Sequence, residues 1–131
     1  MSRSYKDFKI YACFTLNRLV SELGIDIYQP DLESKLDRIL AEDRSGLSKE
    51  EIKHEIMSNH FMTNKVLDFL VEQKLVRVED KQSHYEVKIT REGILYVRKY
   101  NEFFFNLYEE QIRQHYRYRG LPAWAKDLDD E

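Results

Sequence analysis

The sequence predicts a mainly α-helical chain carrying one small β-hairpin, on three observations. Apolar residues recur at three- and four-residue spacing along most of the chain, the period drops to two between about residues 75 and 89, and all the Gly and Pro residues except Gly93 fall near the ends of these patterns. With 42% hydrophobic and 13% aromatic residues in 131, the chain has enough apolar surface for one core and too much for disorder.

The first helix spans residues 5–23, with Tyr5, Phe8, Tyr11, Ala12, Thr15, Leu16, Leu19 and Leu23 on one side; Gly24 stops it, and a connector holding Pro30 follows. Asp31 is a natural N-cap for a second helix that buries Leu32, Leu36, Ile39 and Leu40 and ends at Ser45-Gly46. Ser48 with Glu51 three residues on forms a capping box for a short third helix that buries Ile52 and Ile56. After a turn at Ser58-Asn59 a fourth helix covers 60–73, with Met62, Val66, Leu67, Phe69, Leu70 and Val71 inward and Asn64, Lys65, Asp68 and Glu72 on its polar side. Alternation in Leu75–Glu79 and Tyr85–Ile89 predicts two strands joined by a turn at Asp80–Ser83. Thr90 caps a last helix from about Arg91 to Tyr118, ended by Gly120 and Pro122.

That last helix carries a seam of Ile94, Val97, Asn101, Phe104, Tyr108, Gln111 and His115 at coiled-coil spacing. Tyr96, Tyr100, Phe103 and Leu107 widen its apolar arc to about half the circumference, more than one covering surface accounts for. A homodimer is therefore expected, with Phe8, Tyr11, Leu19, Val97, Asn101, Phe104, Tyr108 and Ile112 at the subunit contact.

The order helix, short helix, turn, helix, hairpin, flanked by long N- and C-terminal dimerisation helices, is that of a winged helix-turn-helix. It divides the chain into an N-terminal helix and connector at 1–30, a winged helix-turn-helix domain at 31–92, a dimerisation helix at 93–119 and an acidic tail at 120–131. The runs Gly46-Leu47-Ser48-Lys49-Glu50-Glu51-Ile52, Leu67-x-x-Leu70-Val71-x-x-x-Leu75-Val76 and Ile89-Thr90-Arg91-Glu92-Gly93 followed by Tyr96 resemble the archaeal winged-helix transcriptional regulators, and more distantly the MarR and PadR types. The resemblance covers residues 31 to about 100 and implies a cytoplasmic, DNA-binding regulator of transcription. It departs at Lys74, where many such domains carry Gly before the wing.

The formal charge of -3 opposes nucleic acid at first sight, but it is unevenly spread: +2 in 1–23, -4 in 24–59, +2 in 60–100, zero in 101–120 and -3 in 121–131. Candidate DNA contacts are Asn59, His60, Phe61, Asn64 and Lys65 on and before the fourth helix, Lys49 and Lys53 on the third, Arg77, Lys81, Gln82 and Lys88 on the wing, and Arg91. The alternative is a winged-helix protein–protein adaptor in a transcription or replication assembly.

His54, His60, His84 and His115 sit on separate elements without ligand spacing, so no metal or cofactor is expected. Cys13 alone excludes an internal disulfide and suits a reducing compartment; no run approaches the roughly 20 apolar residues of a membrane span. No phosphate loop, triad or carboxylate pair points to an enzyme. The aromatic cluster at 96–118 reads as core and interface, with an aromatic effector between subunits the minority reading. The tail, with Trp124 and four acids, reads as a disordered end with an apolar anchor or a short partner-recruiting peptide.

Overall fold

The structure, a computed structural model, describes residues 3–42, 45–82 and 84–130; the side chains of 3–7, 81, 84 and 127–130 lie outside that description. Its elements are α1 Arg3–Leu23, α2 Leu32–Glu42, α3 Lys49–Ile56, α4 His60–Glu72, β1 Val76–Lys81, β2 His84–Ile89, α5 Arg91–His115 and a 3-10 helix Ala123–Asp130. No helix of the described residues is long and apolar enough to cross a membrane.

Local chemistry sets these boundaries. Ser48 Oγ accepts from the Glu51 N–H at 3.1 Å while the Ser48 N–H donates to Glu51 Oε1 at 2.9 Å, closing the expected capping box at the start of α3. α3 ends with Met57 in the left-handed region at φ 53°, where the Ser58 N–H reaches back to the Lys53 carbonyl and the Met57 N–H to that of His54. The same two-bond closure ends α4: Leu75 N–H bonds to the Leu70 carbonyl and Lys74 N–H to that of Val71, with Lys74 at φ 63°. The position that resembles a glycine site is thus a true left-handed turn, occupied here by lysine. Thr90 Oγ1 accepts from the Gly93 N–H at 3.0 Å and donates to the Lys74 carbonyl at 2.7 Å, so one side chain caps α5 and fastens it to the end of α4.

β1 and β2 pair antiparallel from Val76↔Ile89 to Lys81↔His84. The ladder extends through Asp80 and Lys81, which the sequence places in the turn. Leu47 adds a single-residue third strand, exchanging both backbone bonds with Val87 at 3.0 and 2.7 Å. Gly93 is required where α5 starts beneath this sheet: a Cβ there would stand 2.1 Å from the Leu75 carbonyl oxygen and 2.6 Å from Ile89 Cγ1.

Two apolar clusters result. The first is mostly aliphatic and joins Leu16 and Leu19 of α1 to Leu32, Leu36, Leu47, Ile52, Val66, Leu70, Val87, Ile94 and Val97. The second joins Ile10 and Phe14 of α1, Ile56 at the end of α3, Tyr108, Ile112 and Tyr116, and Ala125 of the 3-10 helix. α5 reaches the second cluster through a break at Tyr108, whose φ of -115° and ψ of 20° are not helical. In the tail Ala125 is fully buried, and Trp124, the expected apolar anchor, packs edge-on to Tyr116 and stacks on Phe105.

Candidate functional site

α4 buries Thr63, Val66, Leu67 and Leu70 and turns Phe61, Asn64, Lys65, Asp68 and Glu72 outward. These five side chains are exposed; Phe61, in the first turn, is 76% exposed. Asn59 Oδ1 accepts from the Met62 N–H at 2.8 Å, so the amide oxygen of this expected contact residue is committed to capping α4. His60 is exposed beside Lys53, whose Nζ lies 3.4 Å from its Nε2 and 2.8 Å from Glu50 Oε2. Lys65 leans across the Phe8 ring, its Nζ 5.5 Å from the centroid.

The wing stands beside this face. A shallow groove of about 160 Å³ runs between Lys49, Asn64, Asp68 and Val71 on the helices and Val78 and Tyr85 on the strands. Val78 and Tyr85 were not among the expected contacts. Their signal is the register itself, because the apolar face of the hairpin continues past the core edge into solvent. Lys49 and Gln82 are exposed, and Arg77 is exposed but paired with Glu79. The Lys81 side chain lies outside the described residues. Lys88 is a correction: it is 9% exposed, lies against Gly46 and Glu79, and is not presented to a ligand. Arg91, partly exposed, donates to the Glu33 carbonyl and faces Asp37 at 3.6 Å, tying α2 to the first turn of α5.

The seam of α5 does not face outward. Val97, Asn101, Tyr108 and Ile112 are buried within the protomer, Leu19 is buried on α1, and Phe8 meets Phe69 edge-on at 5.2 Å. α1 covers the surface that periodicity assigns to a partner; Tyr11 and Phe104 are half-buried in the same packing. What stays exposed is the widening of the arc: Tyr100, Phe103 and Leu107.

A polar centre that spacing does not reveal lies behind the helix-turn-helix. Buried Glu55 receives Arg18 Nη1 at 2.9 Å and the Tyr116 hydroxyl at 2.5 Å, while its carbonyl oxygen accepts from His115 Nε2 at 2.8 Å and Arg119 Nη2 at 3.1 Å. Burial and the Glu55 carboxylate push the Tyr116 hydroxyl far above its ordinary range, so it stays a donor. Burial lowers His115 below its ordinary value, and Arg119 adds to that against the opposing bond to Glu55; the neutral ring stacks on Phe14 at 4.1 Å. Cys13 is sealed under α5, with burial raising its thiol to about 12. Among the described residues no cluster of His, Cys, Asp or Glu can hold a metal ion.

A short helix, a tight turn, a second helix with an exposed outer face, and a hairpin braced by one residue of a third strand define a winged helix-turn-helix. No protein-family model and no curated relative matches the chain. Among solved structures it is similar to MepR, a transcription regulator of the Staphylococcus aureus multidrug efflux pump MepA, at 14% identity over 99% of this chain and 90% of that one, with a TM-score of 0.44. It is similar also to a single-substitution variant of S. aureus MepR bound to an oligodeoxyribonucleotide, at 15% identity over 98% and 86% of the two chains, TM-score 0.43.

Proposed function

We propose that the chain is a sequence-specific, double-stranded DNA-binding regulator of transcription that acts as a homodimer. The observation that carries the reading is the outer face of α4, exposed at Phe61, Asn64, Asp68 and Glu72 beside the wing. Laid in a major groove, this face offers Asn64 to adenine, Lys65 to guanine and the Phe61 ring to a thymine methyl, while Asp68 accepts from cytosine amino groups. Lys49 and Gln82 flank it and supply sequence-independent phosphate contacts. Two acids on the same face keep non-specific affinity low. The exposed stripe of Tyr100, Phe103 and Leu107 on α5, not the inward seam, is the surface for a second copy; a two-fold axis there pairs recognition helices on half-sites about one helical turn apart or a multiple of it. No catalytic role and no cofactor belong to this reading.

A fluorescence-anisotropy titration against duplexes selected from a random pool tests it. Asn64→Ala is expected to cost about 1–3 kcal/mol at one base position only. Lys49→Glu is expected to weaken binding on every sequence and to lower the salt slope by about one. A chain that enriches no duplex overturns the reading. The adaptor reading has one observation in its favour, the apolar groove between Val71, Val78 and Tyr85 bordered by Asp68, and it gains if Asn64→Ala and Lys49→Glu leave duplex binding unchanged.

A further inference from the structure

The two flanks of α4 are built differently. At about 3.6 residues per turn, with Phe61 at the centre of the outer face, Val71 lies about 80° round on one side and Phe69 about 80° round on the other. The Val71 side borders the wing, and the Phe69 side meets the N-terminal part of α1. There Phe8 and Phe69 pack edge-on, and each ring carries a lysine from the opposite helix. Lys65 Nζ of α4 lies 5.5 Å from the Phe8 centroid, and Lys9 Nζ of α1 lies 5.8 Å from the Phe69 centroid.

This contact brings together the two stretches of net positive charge, 1–23 and 60–100. α4 by itself suits a polyanion poorly, because its outer face sets Asp68 and Glu72 against Lys65. Lys9 is exposed, and it has no ion-pair partner among the described residues. Lys53 and Arg77, by contrast, are paired with Glu50 and Glu79. An aromatic face beneath an ammonium attracts it without neutralising it, and the apolar stem of Lys9 gains cover from the same ring. Lys9 is therefore restricted in position while its charge stays available to a ligand.

A helix about 10–12 Å across fills a major groove about 12 Å wide, so side chains at either flank of an inserted helix stand against the backbone and not against base edges. We propose that Lys9 is a phosphate contact of the DNA interface, set on the flank of α4 opposite the wing and seated on Phe69. The inference rests on the duplex-binding reading of α4, and it extends the interface to α1, an element outside the helix-turn-helix and wing.

The full chain is titrated by fluorescence anisotropy against a duplex selected from the random pool, over a series of salt concentrations, with Lys9→Gln, Lys9→Arg and Lys35→Gln beside the parent. Lys35→Gln removes the same charge from α2, where the lysine is paired with Asp31. For Lys9→Gln the slope of log affinity against log salt is expected to fall by about 0.9 for each half-site occupied, with the ranking of duplexes unchanged. Lys9→Arg and Lys35→Gln are both expected to keep the parent slope. The inference is overturned if Lys9→Gln keeps the parent slope, if Lys35→Gln lowers it as much, or if Lys9→Gln changes preference at a single base position. A chain that binds no duplex removes the reading of α4 and this inference together, whereas a parent slope in a Lys9→Gln chain that still binds removes Lys9 alone.

Discussion

Beneath the wing, Leu36, Ile52, Leu70, Val87 and Ile94 meet as aliphatic side chains, whereas Phe14, Tyr116 and Trp124 meet as rings beside a buried carboxylate. The first cluster is assembled largely from elements adjacent in the chain, each with its own cap or turn. The second gathers residue 10 with residue 125, and it closes only because α5 leaves helical geometry at Tyr108. Aliphatic side chains fill space by volume and tolerate repacking. Rings with a hydrogen-bonded hub are specified by angle and by partner, so the second cluster gains definition and loses tolerance.

The largest expected effect breaks the second cluster. Phe14 is 1% exposed and touches His115, Tyr116 and Trp124; Phe14→Ala is expected to cost about 3–5 kcal/mol in urea unfolding. A single shifted transition means the two clusters unfold together, and a biphasic one separates them. Gly93→Ala attacks the first cluster from the backbone side. Its Cβ meets a carbonyl that cannot swing away, and a loss of about 1–3 kcal/mol is expected, with weakened wing amide protection in hydrogen exchange.

A smaller effect separates the clusters by pH, since the half-buried His115 stacks on Phe14 of the second. The folded state lowers the His115 value below its ordinary 6.5, so the unfolded chain binds a proton there first. Its contribution to stability is full above 6.5 and is lost on acidification from there down to the lowered folded value. The melting temperature is therefore expected to fall more steeply on acidification below pH 6.5 in the parent than in His115→Gln; equal slopes would remove His115 as the cause. The smallest effect is a gain: Lys74→Gly relieves a left-handed residue and is expected to add about 0.5–1 kcal/mol, measured as a shift in urea midpoint at constant slope.

The comparison also shows what a sequence carries. Ser48 with Glu51 and Thr90 before Gly93 are signals closed within a few residues, and alternation around Val87 sets the hairpin register; each of these was legible. The apolar arc of α5 was legible too, but periodicity states that a face is covered and not by what. The covering element, α1, lies more than 80 positions away, and an intramolecular partner and a second subunit write the same pattern. The break at Tyr108 left no Gly or Pro to announce it. On the wing, Lys88 reads as a solvated cation until Leu47 is seen to pair with Val87, which brings Gly46 down over its stem. The apolar anchor of the tail, Trp124, was legible, but not what it packs on, Phe14 and Phe105 far upstream.

Cys13 carries one further consequence. Its thiol lies 3.5 Å from Asn17 Nδ2 under the α1–α5 contact, 2% exposed and held protonated to about pH 12. A disulfide-exchange reagent needs both access and thiolate, and the closed chain supplies neither. The labelling rate of the native protein is therefore a clock for the parting of α1 from α5.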